Sequence, residues 1–276
     1  MTKIPLLGTG LTGLVGSKFV ELFSDSYECL NLDLTTGVDI TDANTVNKAI
    51  ANHSADVVVH FAAFTDVSRA HQEKGDKSGI VYKVNVDGTK NIAEAAKESG
   101  KHLIHISTAY VFDGEKEGMY TEDDAMHPIE WYGQTKAWAE DVVQESGVSH
   151  TILRIDQPYR QDEFAKLDIL HRIKKGLETG SLPPMFTNHT FTATKIEEFA
   201  KILHFMIEHK LSGIFHATTD PVTSDYKFAL NVQKQFGLPG EIRKGDLLEY
   251  LKTVDRPYQK NTALSTKKLK AAMGVK

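Results

Sequence analysis

Cysteine is almost absent. Cys29 is the only one in 276 residues, so no disulfide within the chain can hold the fold. Long apolar runs are missing too. The best, Val57 to Phe64, is interrupted by His60 and falls well short of the roughly 18 residues a membrane span needs. Positive charge is not in excess: 32 Lys and Arg stand against 37 Asp and Glu, a formal net charge of −5. Extended nucleic-acid surfaces usually carry a basic excess or stripe. Neither nucleic acid nor membrane is therefore expected as a partner. No Gly/Ser-rich linker, internal repeat or low-complexity tract divides the chain. Met1-Thr2-Lys3-Ile4-Pro5 leads straight into strand-like residues without the apolar stretch of a signal peptide, which sets the expectation of a cytoplasmic protein. The chain has instead 41% apolar and 25% charged residues. That is enough for a sizeable core, in one large domain or one and a half.

Short apolar or β-branched runs recur at Ile4–Leu7, Cys29–Asp33, Val57–Phe64, Leu103–Ser107 and Thr151–Ile155. Each suits a buried strand better than a free-standing helix. Helical spacing fills the intervals at 14–23, 44–52 and 84–99, and Gly100 sits where the last of these would stop. Alternating strand and helix implies an α/β fold, a Rossmann-like doubly wound parallel sheet. The rhythm breaks after residue 156. Residues 160–210 read as helices around a Pro183-Pro184 turn, Lys195 to Glu208 being strongly amphipathic. The expected division is a sheet domain over 1–156 and a smaller, mostly helical substrate-binding cap over 157–276. A strand near 213–218 returns to the sheet.

Directly after the first strand stand Gly10, Leu11, Thr12, Gly13, Leu14, Val15 and Gly16, with glycines at three-residue steps where strand becomes helix. Such a turn needs one glycine for its tight path, one for the approach of a pyrophosphate and one for close helix packing. The helix start then offers free N–H groups to phosphate. Asp33 follows Gly13 by twenty positions, the spacing of an acid that bonds the adenosine ribose. The plainer reading is an aspartate capping a turn. An acid there repels a 2′-phosphate, and no arginine follows it, so NAD is expected, with NADP the alternative. Asp39 and Ile40 are further candidates at this edge, while Asp42 fits a helix N-cap equally well.

Tyr132 and Lys136 are one turn apart on the face of an expected helix. An unperturbed tyrosine titrates near ~10, and an adjacent lysine cation would favour its phenolate. Ser107 and Thr108 end a strand 24 residues before Tyr132, at the carboxyl edge where doubly wound proteins build sites. His60, His102 and His105 lie on strands without ligand spacing, so no metal is expected.

The glycine turn, His60-Phe61-Ala62-Ala63, Asn85-Val86-Asp87-Gly88-Thr89, Ser107-Thr108 and Tyr132-x-x-x-Lys136 together resemble an extended short-chain dehydrogenase/reductase. Three stretches are similar to dTDP-4-dehydrorhamnose reductases: Ala62 to Val67, Ser107 to Gly114, and Tyr132 to Lys136. Arg256-Pro257 with Asn261, Leu264 and Lys268-Leu269 resembles that group's C-terminal pattern. The likeness implies reduction of a nucleotide-linked 4-keto-6-deoxysugar by NAD(P)H. It implies that Tyr132 gives the proton, Lys136 binds the nicotinamide ribose and Thr108 bonds the carbonyl oxygen. Asn85 either supports the proton path or braces the sheet. Ala62, Ala63 and Phe64 would line the cofactor. Ser107, Ala109, Tyr110, Trp131 and Arg256 would face the substrate, though Trp131 suits packing under its helix as well. A homodimer is a further expectation.

Three positions depart from that pattern. Ala109 stands where an Asp is usual, Gln157-Pro158 where the reductases place a substrate-facing Trp, and the chain ends soon after Met273, where another helix is common. Ala109 also argues against a 4,6-dehydratase. Two alternatives stay open: a nucleotide-sugar epimerase, and a non-catalytic dinucleotide-binding subunit like the β subunit of methionine adenosyltransferase.

Overall fold

In the computed structural model, which describes residues 2–275, the apolar runs become parallel strands. They are β1 (Ile4–Thr9), β2 (Tyr27–Asn31), β3 (Val57–His60), β4 (His102–Thr108) and β5 (His150–Ile155). Among them run α1 (Gly16–Leu22), α2 (Ala43–Ala51), α3 (Val67–Gln72), the single turn α4 (Ile80–Tyr82), α5 (Gly88–Glu98) and α6 (Trp131–Ser146). Then come β6 (Pro158–Tyr159), α7 (Ile169–Glu178), β7 (Met185–Phe186), β8 (Thr190–Thr192), β9 (Thr194–Lys195) and α8 (Ile196–His209). The chain continues through β10 (Gly213–His216), β11 (Val222–Ser224), α9 (Asp225–Phe236), β12 (Lys244–Gly245), α10 (Leu247–Leu251) and α11 (Lys267–Ala272).

Six strands form one sheet in the order β10-β5-β4-β3-β1-β2, every neighbouring pair parallel. The winding reverses between β1 and β3. In doubly wound sheets a crevice opens beyond the strand ends at such a point. Strand alternation feeds two cores. Leu6, Val57, Val59, Ile104, Ile106 and Leu153 pack with Phe19, Phe199, Leu203 and Leu269 on one face. Leu7, Val58, Leu103 and Ile152 pack with Val46, Ile50, Ile92 and Val143 on the other. At roughly 1.5–3 kcal/mol per fully buried aliphatic side chain, these two layers supply most of the force that flattens the sheet between its helices. Helix ends follow their side chains. Asp42 accepts from Asn44 N at 2.9 Å to start α2, and Gly100, at φ +64, follows α5.

The segment beyond residue 156 goes to two places. Helices α8 and α11 and strand β10 return to the sheet, with Phe199, Leu203, Phe215 and Leu269 in its core. A separate cluster holds Tyr159, Ile169, Ile173, Leu177, Phe191, Phe228 and Val232, drawn chiefly from α7 and α9. The expectation of helices around a Pro183-Pro184 turn over 160–210 is met by α7 and α8 and corrected before and between them. Residues 160–168 are irregular and 185–195 hold three short strands. The reason is side-chain type: Thr190-Phe191-Thr192 pairs antiparallel with β11, alternating β-branched residues that favour an extended chain. The cap therefore mixes short ladders with helices.

Candidate functional site

The glycine turn lies at the reversal point, and its glycines have separable reasons. Gly10 has φ +66, and a Cβ there would stand 2.9 Å from Ala62 N. A Cβ at Gly16 would meet Gly10 O at 2.7 Å and Leu11 Cα at 2.8 Å. Both are required by the protein's own backbone. Gly13 is less confined: a Cβ there would meet only Gly10 O, at a tight 3.2 Å. No side chain caps the following helix, α1. A glycine-rich turn therefore leads straight into an uncapped helix start, an arrangement that fits a dinucleotide pyrophosphate. Asp33, two residues past β2, reaches this turn by accepting from Thr12 Oγ1 at 3.2 Å. Burial opposes its charge, but bonds from Thr35, Asn31 and Thr12 outweigh that and hold the carboxyl below its ordinary range. Asp33 also caps the short turn Leu34–Thr36, so the turn-capping reading and the site reading fall on one residue. Asp39 instead bonds Thr41, at 2.9 Å to its N–H and 2.8 Å to its hydroxyl, and is exposed. Ile40 is buried against the space Gly88 leaves.

A buried polar chain ties the β3 edge to the α6 helix. Ala62 N–H donates to Thr9 Oγ1 at 3.1 Å, and Thr9 Oγ1 lies 2.6 Å from His60 Nδ1. His60 Nε2 lies 3.0 Å from Thr89 Oγ1, which donates to the Asn85 carbonyl at 2.7 Å. Because Thr89 spends its proton on Asn85, His60 Nε2 must carry a proton and donate to Thr89. Burial, reinforced by Lys136, pushes the His60 pKa down to about 3. Asn85 accepts from Phe64 N–H at 2.7 Å and donates to Phe64 O at 3.2 Å and Thr135 Oγ1 at 3.0 Å. Its amide is spent on bracing Ala62–Ala63–Phe64 against α6, from a wide helical turn at Lys83–Asp87. Of its two expected roles, the geometry matches the brace.

Thr108 ends β4, and its hydroxyl accepts from Tyr110 N–H at 3.2 Å. The half-buried Tyr132 stands in the first turn of α6. Burial and the Glu130 carboxylate raise the phenol's pKa, while the Thr108 hydroxyl pulls it back. Tyr110 meets the Tyr132 ring edge-on, with centroids 5.9 Å apart. Lys136, only 2% exposed, donates to Ile106 O at 2.8 Å and to His105 Nε2 at 3.1 Å. Burial brings its pKa down to about 8. Lysine and tyrosine therefore share one helix face, but the ammonium is anchored in β4.

Three expected substrate residues, Ser107, Trp131 and Ala109, are packed in the interior. Ser107 donates to Glu140 at 2.5 Å and is buried; strand alternation turns it under α6 with His105. Trp131 is also buried, packing on Trp138 at 5.6 Å beside Ala70 and Val81. Ala109 is fully buried. Arg256 stacks on Tyr258 at 3.6 Å, and its charge reaches Tyr110 and Glu130. Composition gave no hint of two acids near Tyr132. Glu130 caps α6 through Tyr132 N–H at 2.9 Å and Gly133 N–H at 2.5 Å, and burial lifts it to about 7. Asp156, buried at the end of β5, accepts from Thr262 at 2.6 Å and is lifted by burial to about 7. Next to it Gln157 sits at φ +38, a strained conformation for a residue with a side chain.

The irregular cap segment crosses the crevice. Arg160 bonds Ser17 at 2.9 Å, Asp162 pairs with Lys18 at 2.9 Å, and Lys166 donates to Thr65 Oγ1 at 2.5 Å. One end is thus fastened to α1 and the other to the β3 exit loop. The spacing of these charges in sequence carries no signal of it.

Sheet order, the glycine turn at its reversal and the polar edge of β4 define a Rossmann-like α/β protein. The chain belongs to the family described as RmlD substrate binding domain, whose profile matches residues 4–276. It is 29% identical, over 98% of its own length and 93% of the relative's, to a dTDP-4-dehydrorhamnose reductase of Aggregatibacter actinomycetemcomitans. It is 28% identical to the bovine (Bos taurus) methionine adenosyltransferase 2 subunit beta, over 85% of this chain and 72% of that one. A crystal structure of dTDP-4-dehydrorhamnose reductase from Bacillus anthracis in complex with NADP superimposes with a TM-score of 0.89. It is 22% identical, and the match covers 98% of this chain and 93% of that one.

Proposed function

We propose that this chain reduces a nucleotide-linked 4-keto-6-deoxysugar with NAD(P)H, dTDP-4-dehydrorhamnose being the reference substrate. The observation that carries the reading is the convergence of Thr108, Tyr132 and Lys136 at the carboxyl edge of β4, one strand from the glycine turn. The name of the Aggregatibacter relative, matched along nearly the whole chain, supports it.

A bound nicotinamide supplies hydride to the carbonyl carbon. The chain's own groups manage the oxygen. Thr108 donates a hydrogen bond to it as negative charge develops, and Tyr132 releases its phenolic proton to the alkoxide, completing the alcohol. Lys136 favours the resulting phenolate and offers an N–H to the ribose. Residues 1–156 would carry the dinucleotide and 157–276 the sugar-binding cap, with Arg256 beside the sugar. Asp33 favours NADH, whereas the Bacillus anthracis structure holds NADP. The proposal therefore covers both dinucleotides.

Ala109 and Gln157 favour a second reading, a dinucleotide-binding regulatory subunit, since both replace side chains the reductases are expected to turn towards substrate. Steady-state consumption of NAD(P)H with dTDP-4-dehydrorhamnose separates the two. Turnover that is lost in Tyr132→Phe supports the reductase; tight dinucleotide binding without turnover overturns it.

A further inference from the structure

Lys136 is held by a histidine that the chemistry above does not use. His105 lies on β4, and its Nε2 is 3.1 Å from Lys136 Nζ. The ammonium has only donors, so Nε2 must be the acceptor and the ring proton must sit on Nδ1. That Nδ1 is buried without a hydrogen-bond partner among the described residues. The ring stacks obliquely on His60 at 5.3 Å, and both nitrogens of His60 are already committed to Thr9 and Thr89. A side chain present only to fill this space would be apolar, because an unpaired buried donor is destabilising. The polar ring is retained where only its Nε2 has work.

We propose that His105 is a positioning residue for Lys136, accepting a hydrogen bond from one ammonium N–H so that the lysine stays charged and directed while another N–H remains free for the cleft. The inference rests on the reading of Lys136 as the residue that holds the nicotinamide ribose. With Ile106 O at 2.8 Å, His105 makes the second of two fixed contacts, leaving one ammonium proton uncommitted among the described residues. Both partners favour the charged form, in a place where burial works against it. Other titratable groups around the pair are few. Glu140 lies one turn further along α6, its carboxylate bonded to Arg154 of β5 and to Ser107. His60 on β3 and His150 on β5 act on His105, and burial with Lys136 keeps His105 neutral. Tyr132 completes the set on α6.

The test is the pH dependence of dinucleotide binding, followed by tryptophan fluorescence, so it needs no turnover. Wild type should lose affinity for NADH or NADPH at alkaline pH as Lys136 deprotonates, and Lys136→Met should lack this limb. His105→Phe keeps a ring on His60 but removes the acceptor. It should move the limb down by about one pH unit or more, the size of one hydrogen bond to a charged group. His105→Gln restores an acceptor and should return the limb most of the way. Thermal melts identify any variant that fails to fold, and His105→Gln then decides alone. A limb unchanged in folded His105→Phe, equally displaced in folded His105→Gln, or surviving in Lys136→Met overturns the inference. If wild type binds dinucleotide with this limb yet turns over no ketosugar, the reductase reading fails while the positioning role stands.

Discussion

Arg154 grips Glu140 with bonds of 2.9 Å from Nε to Oε1 and 2.7 Å from Nη2 to Oε2, in a space with almost no solvent access. Ser107 adds a third bond to the same carboxylate. The pair fastens α6, the helix that carries Tyr132 and Lys136, to β5 of the sheet. Removing one partner leaves the other charge buried and alone, which costs about 3–5 kcal/mol. Glu140→Leu should therefore lower the denaturant midpoint strongly. Glu140→Leu combined with Arg154→Met should cost less than the sum of the single changes. Chemical denaturation of the four proteins gives the answer, and an additive result would contradict the pairing.

Tyr132→Phe removes one hydroxyl from a half-buried ring. Stability should change by less than about 1 kcal/mol, while kcat should fall by about 10²–10⁴-fold, the usual size of a lost proton donor. Thr108→Val should cost less in kcat, since it removes an oxyanion contact and leaves the proton source. Steady-state kinetics with thermal melts measure both.

Despite burial, hydrogen bonds hold the Asp33 carboxyl below its ordinary range, and in the proposed cofactor site its charge would oppose a 2′-phosphate. Replacing Asp33 by Ser keeps an oxygen for Thr35 and removes the repulsion. The ratio of NADPH to NADH affinity should rise on the order of tenfold, the scale of one partly screened charge contact. Titration of both dinucleotides against both proteins checks it, and an unchanged ratio would mean that Asp33 serves the turn alone.

Asp156 predicts an unusual pH dependence. Its carboxyl is raised from the ordinary 3.8 to about 7 by burial. Between these values the folded state holds a proton that the unfolded chain lacks, so the contribution of Asp156 to stability falls as pH rises and levels off above pH 7. Asp156→Asn cannot ionise. Its melting temperature should exceed that of wild type at pH 8, by an amount on the order of a few kcal/mol in stability, and the advantage should shrink towards pH 4. An advantage that grows on acidification would show the carboxylate to be stabilising.

Much of this was legible in the sequence because local patterns carried it. β-branched runs at Ile4, Val57 and Leu103 placed strands to within a few residues, since a strand buried on both faces reads as a continuous apolar stretch. The glycine turn and the Tyr132–Lys136 spacing are likewise local. The two- and three-residue strands around Met185–Lys195 were not legible, because each is defined by a partner far along the chain, as Thr192 is by Val222. The wide turn at Lys83–Asp87 was hidden because its apolar spacing still looks helical. Ser107 was assigned to the wrong side, although period-two alternation from His105 would have turned it under α6. Asp156, Glu130 and the Arg160–Asp162 strap depend on burial and on contacts across the crevice, which no spacing reveals.

In the proposed reaction Tyr132 completes a hydride transfer to a sugar ketone. Nicotinamide dinucleotide deuterated at C4 on each face in turn should be incubated with the chain and dTDP-4-dehydrorhamnose, and the sugar product read by mass spectrometry. The account predicts a reduced sugar with deuterium on the new carbinol carbon from one face only, absent in Tyr132→Phe. A product isomerised without net reduction would point to an epimerase, and an unlabelled, unreduced sugar despite tight dinucleotide binding would contradict the enzymatic role altogether.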